Sequence, residues 1–112
     1  LRLIQNYERL QAAKDQDGNP FRVIPLPMPA YIGSKKERLP ASYANFYIAN
    51  HAVLVPVYDD PHDEEALDLI TSFFPEREIV PIRCNTLIWG LGAVHCLTQQ
   101  QPRGDKISKG QP

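Results

Sequence analysis

The chain has 112 residues, 43% hydrophobic and 22% charged, with a formal net charge of −1. This is one domain at most, long enough to bury a core, and its scattered basic residues leave no electrostatic footprint for nucleic acid. No run reaches the roughly 18 apolar residues of a membrane span, and neither a methionine nor a signal segment stands at Leu1, so the residues are expected to begin inside a longer polypeptide.

Leu3, Ile4, Tyr7 and Leu10 recur at helical spacing against Arg2, Gln5, Glu8 and Arg9, which predicts an amphipathic helix over residues 2–13. Asp15-Gln16-Asp17-Gly18-Asn19-Pro20 ends it in turn residues. Phe21–Leu26 reads as a short strand, with Pro25 and Pro27 confining it to an edge or a frayed end. Residues 28–41 hold Pro29, Gly33 and Pro40 among charged side chains and are expected as an exposed loop. Tyr43–Ile48 is a strand dense in aromatic residues. Asn50-His51, with an asparagine tolerant of positive φ, predicts a tight hairpin into the apolar strand Ala52–Val57.

Asp60 is expected to cap the next helix, with Pro61 at its first position and Asp63 and Glu64 complementing the dipole. Ala66, Leu67, Ile70, Phe73 and Phe74 form its buried stripe, and Pro75 marks its end. Glu78–Ile82 is a further strand. Asn85–Trp89 then leads over a short turn into a glycine segment, and Val94–Thr98 is expected as the last strand. Residues 103–112 are polar and expected as a flexible tail. The integrin-type tripeptide Arg103-Gly104-Asp105 within it is a chance occurrence. The class is α+β, with one complete strand–strand–helix–strand unit over about residues 43–82 and a helix–strand remnant before it.

The segment Gly90-Leu91-Gly92-Ala93-Val94-His95-Cys96-Leu97-Thr98-Gln99 carries the chemistry. Glycines let a backbone approach a ligand closely, and a cysteine after such a turn can stand at the mouth of a pocket, so Cys96 is the candidate nucleophile. The ordinary alternative is a buried, inert thiol, the reading given to Cys84. Two cysteines make neither a disulfide framework nor a zinc motif, and free thiols suit a cytoplasmic protein. A redox or metal-binding Cys84–Cys96 pair is the lesser alternative, since no further ligand spacing supports it; the reading assigns no metal. His95 is a structural neighbour, because adjacent residues on a strand point to opposite faces. Asn45 must find a polar partner, more plausibly structural than substrate. Capping accounts for Asp60, solvent for Asp59 and packing for Trp89, and His51 and His62 have no metal partner in view.

Four pieces resemble the agmatine deiminase and Porphyromonas-type peptidylarginine deiminase family: Pro25-Leu26-Pro27-Met28-Pro29, Ala41 through Asn50, Asp60 through Ala66, and Gly90 through Gln101. They cover about residues 21–102, and their combination and order make the match specific. The resemblance implies a pentein fold, a pseudo-fivefold propeller of ββαβ units, with this chain as its C-terminal part. It implies guanidine hydrolysis without a cofactor, with Cys96 attacking the guanidinium carbon, ammonia leaving, and water releasing a ureido product. A hard, resonance-stabilised carbon calls for a strong nucleophile that divides the reaction into two steps, carboxylates that grip the guanidinium fork and a histidine that serves as acid, then base.

In the family those partners come mainly from upstream units. Gly90 and Gly92 are expected to line the substrate pocket. This chain departs from the family at Leu91, where a run of three glycines is usual, and at Ala93, where asparagine is frequent; both bear on specificity. Agmatine is the expected substrate, yielding N-carbamoylputrescine and ammonia in polyamine biosynthesis, with peptidyl or free arginine as the alternative. A non-catalytic fragment, inactive without the upstream units, is the reading from a different class. Such a fragment is expected to expose sheet edges and apolar faces and to associate with the rest of its own polypeptide or with another copy.

Overall fold

The computed structural model describes residues 2–104; Leu1 and residues 105–112 lie outside the described residues, and with them most of the expected tail and the end of the Arg103-Gly104-Asp105 tripeptide. The elements run α1 (Arg2–Ala12), β1 (Tyr47–Ile48), β2 (Ala52–Val57), α2 (Asp63–Phe73) and β3 (Glu78–Arg83), followed by two short 3₁₀ turns at Leu87–Gly90 and His95–Leu97.

The three strands form one mixed sheet in the order β1-β2-β3. β1 pairs antiparallel with β2 through Tyr47↔Leu54 and Ile48↔Val53. Across the two-residue loop at Asn50-His51, Ala49 N–H donates to Ala52 O at 2.8 Å. Neither loop residue has positive φ, so the hairpin closes without the left-handed asparagine expected of it. β2 pairs parallel with β3 over six residues, from Ala52↔Glu78 to Val57↔Arg83. A parallel neighbour needs a crossover, and α2 supplies it.

Both faces of β2 are covered, which explains its unbroken apolar run. Val53 and Val55 point to α2 and are sealed with Ile70, with Leu26, Phe46, Leu67, Phe74 and Ile79 packed around them. The opposite face carries Leu54, which packs with Ile82 against buried Tyr43, Tyr58, Cys84, Ile88 and Val94. Full burial of a Val or Ile side chain contributes roughly 1.5–3 kcal/mol of transfer free energy, and the larger cluster is completed by segments outside the sheet, around Tyr43 and Ile88.

Four expectations are corrected. Residues 21–26 form no strand. In an extended chain the amides of positions 25, 27 and 29 face one edge, and proline removes all three donors. Only Leu26 of this stretch reaches the core cluster. The aromatic strand shrinks to Tyr47–Ile48, because Ser42 starts a turn: its Oγ accepts Ala44 N–H at 3.2 Å and its carbonyl accepts Asn45 N–H at 3.3 Å.

The segment 94–98 is the third correction, a 3₁₀ turn rather than a strand. Val94 has φ −58 and ψ −55, the His95 carbonyl accepts both Thr98 N–H and Thr98 Oγ1–H, and the His95 and Cys96 amides donate to Asn45 rather than to a strand neighbour. Finally, α2 starts at Asp63, later than a cap at Asp60 would place it. Asp60 instead makes a turn onto His62 N–H at 2.9 Å, while Asp63 reaches back to the amides of Tyr58 and Asp60. Within the stripe Ala66 and Ile70 are buried, but Phe73 stays 36% exposed.

α1 matches the expected helix, and the Asp15 turn closes it: Asp15 Oδ1 accepts Asp17 N–H at 2.9 Å and Asn19 N–H at 2.8 Å. None of its residues is buried; Leu3, Ile4 and Leu10 stand open to solvent. Among the described residues no helix is long and apolar enough to cross a membrane.

Candidate active site

Cys96 is exposed in the His95–Leu97 turn, and Cys84 is sealed in the core; both are free thiols. Burial pushes the Cys84 thiol up, away from thiolate, and leaves it inert. The Cys96 thiol is held below its ordinary value, first by a hydrogen bond from the Asn45 side chain and then by the backbone amides of Ala93 and of Cys96 itself. Donors aimed at sulfur favour the anion over the neutral thiol.

The segment is built onto the core in three steps. β3 ends at Arg83, and Cys84 N–H continues the ladder to Val57 O at 2.9 Å. A 3₁₀ turn buries Ile88 and ends on Leu91 in the left-handed region, φ 66 and ψ 22. Ala93 and Val94 then return to the core, and the next turn lifts Cys96 outward. Neither Gly90 nor Gly92 has positive φ; Leu91 between them adopts it instead.

Gly92 and Cys96 are brought together, while Gly90 stands apart. A Cβ on Gly92 would lie 2.7 Å from Cys96 Cβ and 3.1 Å from its Sγ; one on Gly90 would meet nothing within 4 Å. Gly92 is thus required by the packing of the nucleophile candidate. Trp89, expected to pack, is 58% exposed beside this segment, as are Leu91 and Leu97.

Asn45 is the functional residue that sequence reasoning underweighted. Its Nδ2 donates to Cys96 Sγ at 2.9 Å, its Oδ1 accepts Cys96 N–H at 3.3 Å, and its carbonyl accepts His95 N–H at 3.2 Å. The signal available was a polar side chain in an aromatic stretch; its partner lies 51 residues away and could not be read locally. His95 turns elsewhere. Its ring packs on Tyr47, centroids 6.3 Å apart, and it lines a cleft of about 310 Å³ with Ala44, Phe46, Tyr47, Ile48 and Gln100, from which Cys96 is absent. Strand alternation is not the cause of that separation, since the segment is a 3₁₀ turn.

Three carboxylates, Asp63, Asp60 and Asp59, are engaged by partners other than the thiol. Asp63 accepts Tyr43 Oη–H at 2.7 Å, and Tyr43, fully buried and hydrogen-bonded to that carboxylate, has its phenol pushed far up. Asp60 accepts Ala30 N–H at 2.6 Å and lies 2.7 Å from His62 Nδ1, with those donors holding its carboxyl below the ordinary range. Asp59, expected to face solvent alone, has φ 54 and pairs with Arg83 at 2.5 Å. Among the described residues no group of three or more His, Cys, Asp or Glu is arranged to hold a metal ion.

Residues 1–102 match the family described as Porphyromonas-type peptidyl-arginine deiminase. An agmatine deiminase of Pseudomonas fluorescens is 37% identical, over 91% of this chain and 34% of the relative. The crystal structure of a putative arginine deiminase from Porphyromonas gingivalis superimposes with a TM-score of 0.86 and 43% identity, over 91% of this chain and 30% of that one. An agmatine deiminase of Enterococcus faecalis superimposes with a TM-score of 0.80 and 30% identity, over 88% and 32% of the two chains. The chain spans about a third of the length of the relatives it matches.

Proposed function

The chain belongs to the Porphyromonas-type peptidyl-arginine deiminase family, and from that membership we propose that it supplies the nucleophile of a guanidine hydrolase, with Cys96 as the attacking residue. The observation that carries the reading is the exposed Cys96 thiol, whose pKa is lowered by hydrogen bonds from Asn45 and the Ala93 amide. The thiolate adds to the guanidinium carbon, the C–N bond to one terminal nitrogen breaks, and ammonia leaves with a proton from a general acid. Water then adds to the amidino-thioether, the C–S bond breaks, and the ureido product departs as the thiolate returns. Gly92 lets the sulfur sit close to the backbone, and we assign Gly90 and Gly92 to the pocket wall.

The hydrogen bonds to the Cys96 side chain come from neutral donors, and Asp63, Asp60 and Asp59 are committed to Tyr43, His62 and Arg83. The guanidinium grip and the acid–base histidine are therefore assigned to residues beyond these, in a fold about three times as long as the present chain. In that reading the ββαβ order of β1 through β3 is one unit of a pentein propeller, these residues alone are inactive, and the exposed faces of α1 and of the Trp89–Leu97 rim are covered by the rest of the polypeptide or by another copy. We place the protein in the cytoplasm, in keeping with its two free thiols.

Agmatine is the substrate proposed, since the relatives that share 37% and 30% identity are named agmatine deiminases. Arginine, free or in a peptide, is the second reading, carried by the family's description and by the arginine deiminase at 43% identity. The polypeptide that contains these residues should release ammonia from its preferred guanidine and, when quenched in acid, show an adduct on the Cys96 peptide. Cys96→Ala should lower turnover by at least roughly 10³-fold. Unchanged ammonia release in that variant sinks the reading, and parallel assays on agmatine, arginine and an arginyl peptide choose the substrate.

A further inference from the structure

Resting on Cys96 as the nucleophile, we propose that Asn45 is a positioning residue that aims the sulfur and stabilises it as a thiolate. One planar amide holds both ends of the cysteine: Nδ2 lies 2.9 Å from Sγ, and Oδ1 accepts the Cys96 backbone N–H at 3.3 Å. The main chain of Asn45 adds a third contact, from its carbonyl to His95 N–H at 3.2 Å. With the sulfur and the backbone both fixed, the side-chain rotamer of Cys96 has little freedom left.

The clasp is itself anchored. Asn45 N–H donates to Ser42 O at 3.3 Å, the Ser42 amide donates to Tyr58 Oη at 3.2 Å, and neighbouring Tyr43 is fully buried with its hydroxyl on Asp63. The donor is thus delivered by a turn tied to the core to an exposed thiol.

The residue type matters. Only a side chain that donates from one atom and accepts at another can hold both groups. An aspartate would keep the acceptor for Cys96 N–H, lose the donor to sulfur and add a like charge beside the thiolate. A donor to sulfur stabilises the anion more than the neutral thiol, in agreement with the lowered thiol value found here.

The test is the pH dependence of iodoacetamide alkylation, followed by mass spectrometry on the Cys96 peptide, in the full polypeptide. The inflection rather than the plateau rate is read, because nucleophilicity falls along with thiol pKa. In the parent the inflection should lie below the ordinary thiol value of about 8.5. Asn45→Ala should raise it, and Asn45→Asp should raise it further while Cys84 stays protected from alkylation. Each unit of upward shift lowers the thiolate fraction at neutral pH about tenfold.

A purely structural asparagine predicts the parent's inflection in Asn45→Ala, which removes the donor without adding charge; that result overturns the proposal. Should Asn45→Ala fail to fold, Asn45→Leu, neutral and close in shape, decides by the same readout. Alkylation needs no guanidine substrate, so the two readings fail separately. An Asn45-dependent inflection in a protein whose Cys96→Ala variant still releases ammonia would sink the deiminase and leave the clasp standing.

Discussion

The sheet unit from β1 to β3 and the segment after it, residues 84–98, are held by different forces. In the first, Val53, Val55, Ile70 and Ala66 are fully buried and the strands share a six-residue parallel ladder. In the second, Ala93 and Val94 are buried, but Trp89, Leu91 and Leu97 are more than half exposed and Cys96 stands in solvent. Packing fixes the first region and, through Cys84, Ile88, Ala93 and Val94, seats the second, where directed hydrogen bonds from Asn45 then set Cys96. The difference suits a scaffold and a reactive group: buried area is strong but non-directional, whereas an amide aimed at sulfur sets both position and charge state.

The comparison breaks if a change in one region moves the property of the other. Ile70→Ala should have the largest effect, lowering stability by about 2–5 kcal/mol through a cavity beneath β2. Urea denaturation measures that loss, and the alkylation inflection of Cys96 should not move in the variant that remains folded. Gly92→Ala should act the other way. Its new Cβ would lie 2.7 Å from Cys96 Cβ, so the cysteine must shift out of the Asn45 clasp. Its inflection should rise toward the ordinary thiol value, with a stability loss of only about 1 kcal/mol.

The smallest effect is expected at Leu91. A left-handed φ of 66 strains a residue with a Cβ by about 1–2 kcal/mol, and glycine relieves it against about 0.5–1 kcal/mol of added chain entropy. Leu91→Gly should therefore raise stability by about 0.5–1 kcal/mol, measured as a shift in urea midpoint at unchanged slope. A loss of stability there would mean that the leucine side chain makes a contact outweighing the strain.

The legible parts of this molecule are those in which local pattern and long-range packing agree. β2, α2 and β3 could be placed because apolar periodicity, the acidic first turn at Asp63–Glu65 and the stop at Pro75 all favour the elements that form. The misread parts are those in which an apolar stretch had no partner to pair with. Phe21–Leu26 and Val94–Thr98 both have strand-like composition. One lacks proline donors along an edge, and the other coils into a 3₁₀ turn whose His95 and Cys96 amides go to Asn45. A strand is a property of two chain segments, so composition in one of them does not decide it.

By itself the sequence determined the family, the candidate nucleophile at Cys96 and the strand–strand–helix–strand order, because motif spacing and hydrophobic period are local and cumulative. Only the tertiary structure decided what holds Cys96. The Asn45 amide reaches it across 51 residues of chain, Gly92 proves to be required by sulfur contact rather than by φ, and Leu91 takes the strained turn. Each depends on atoms brought together by folding from distant positions, and a contact of that kind leaves no trace in the spacing of either partner.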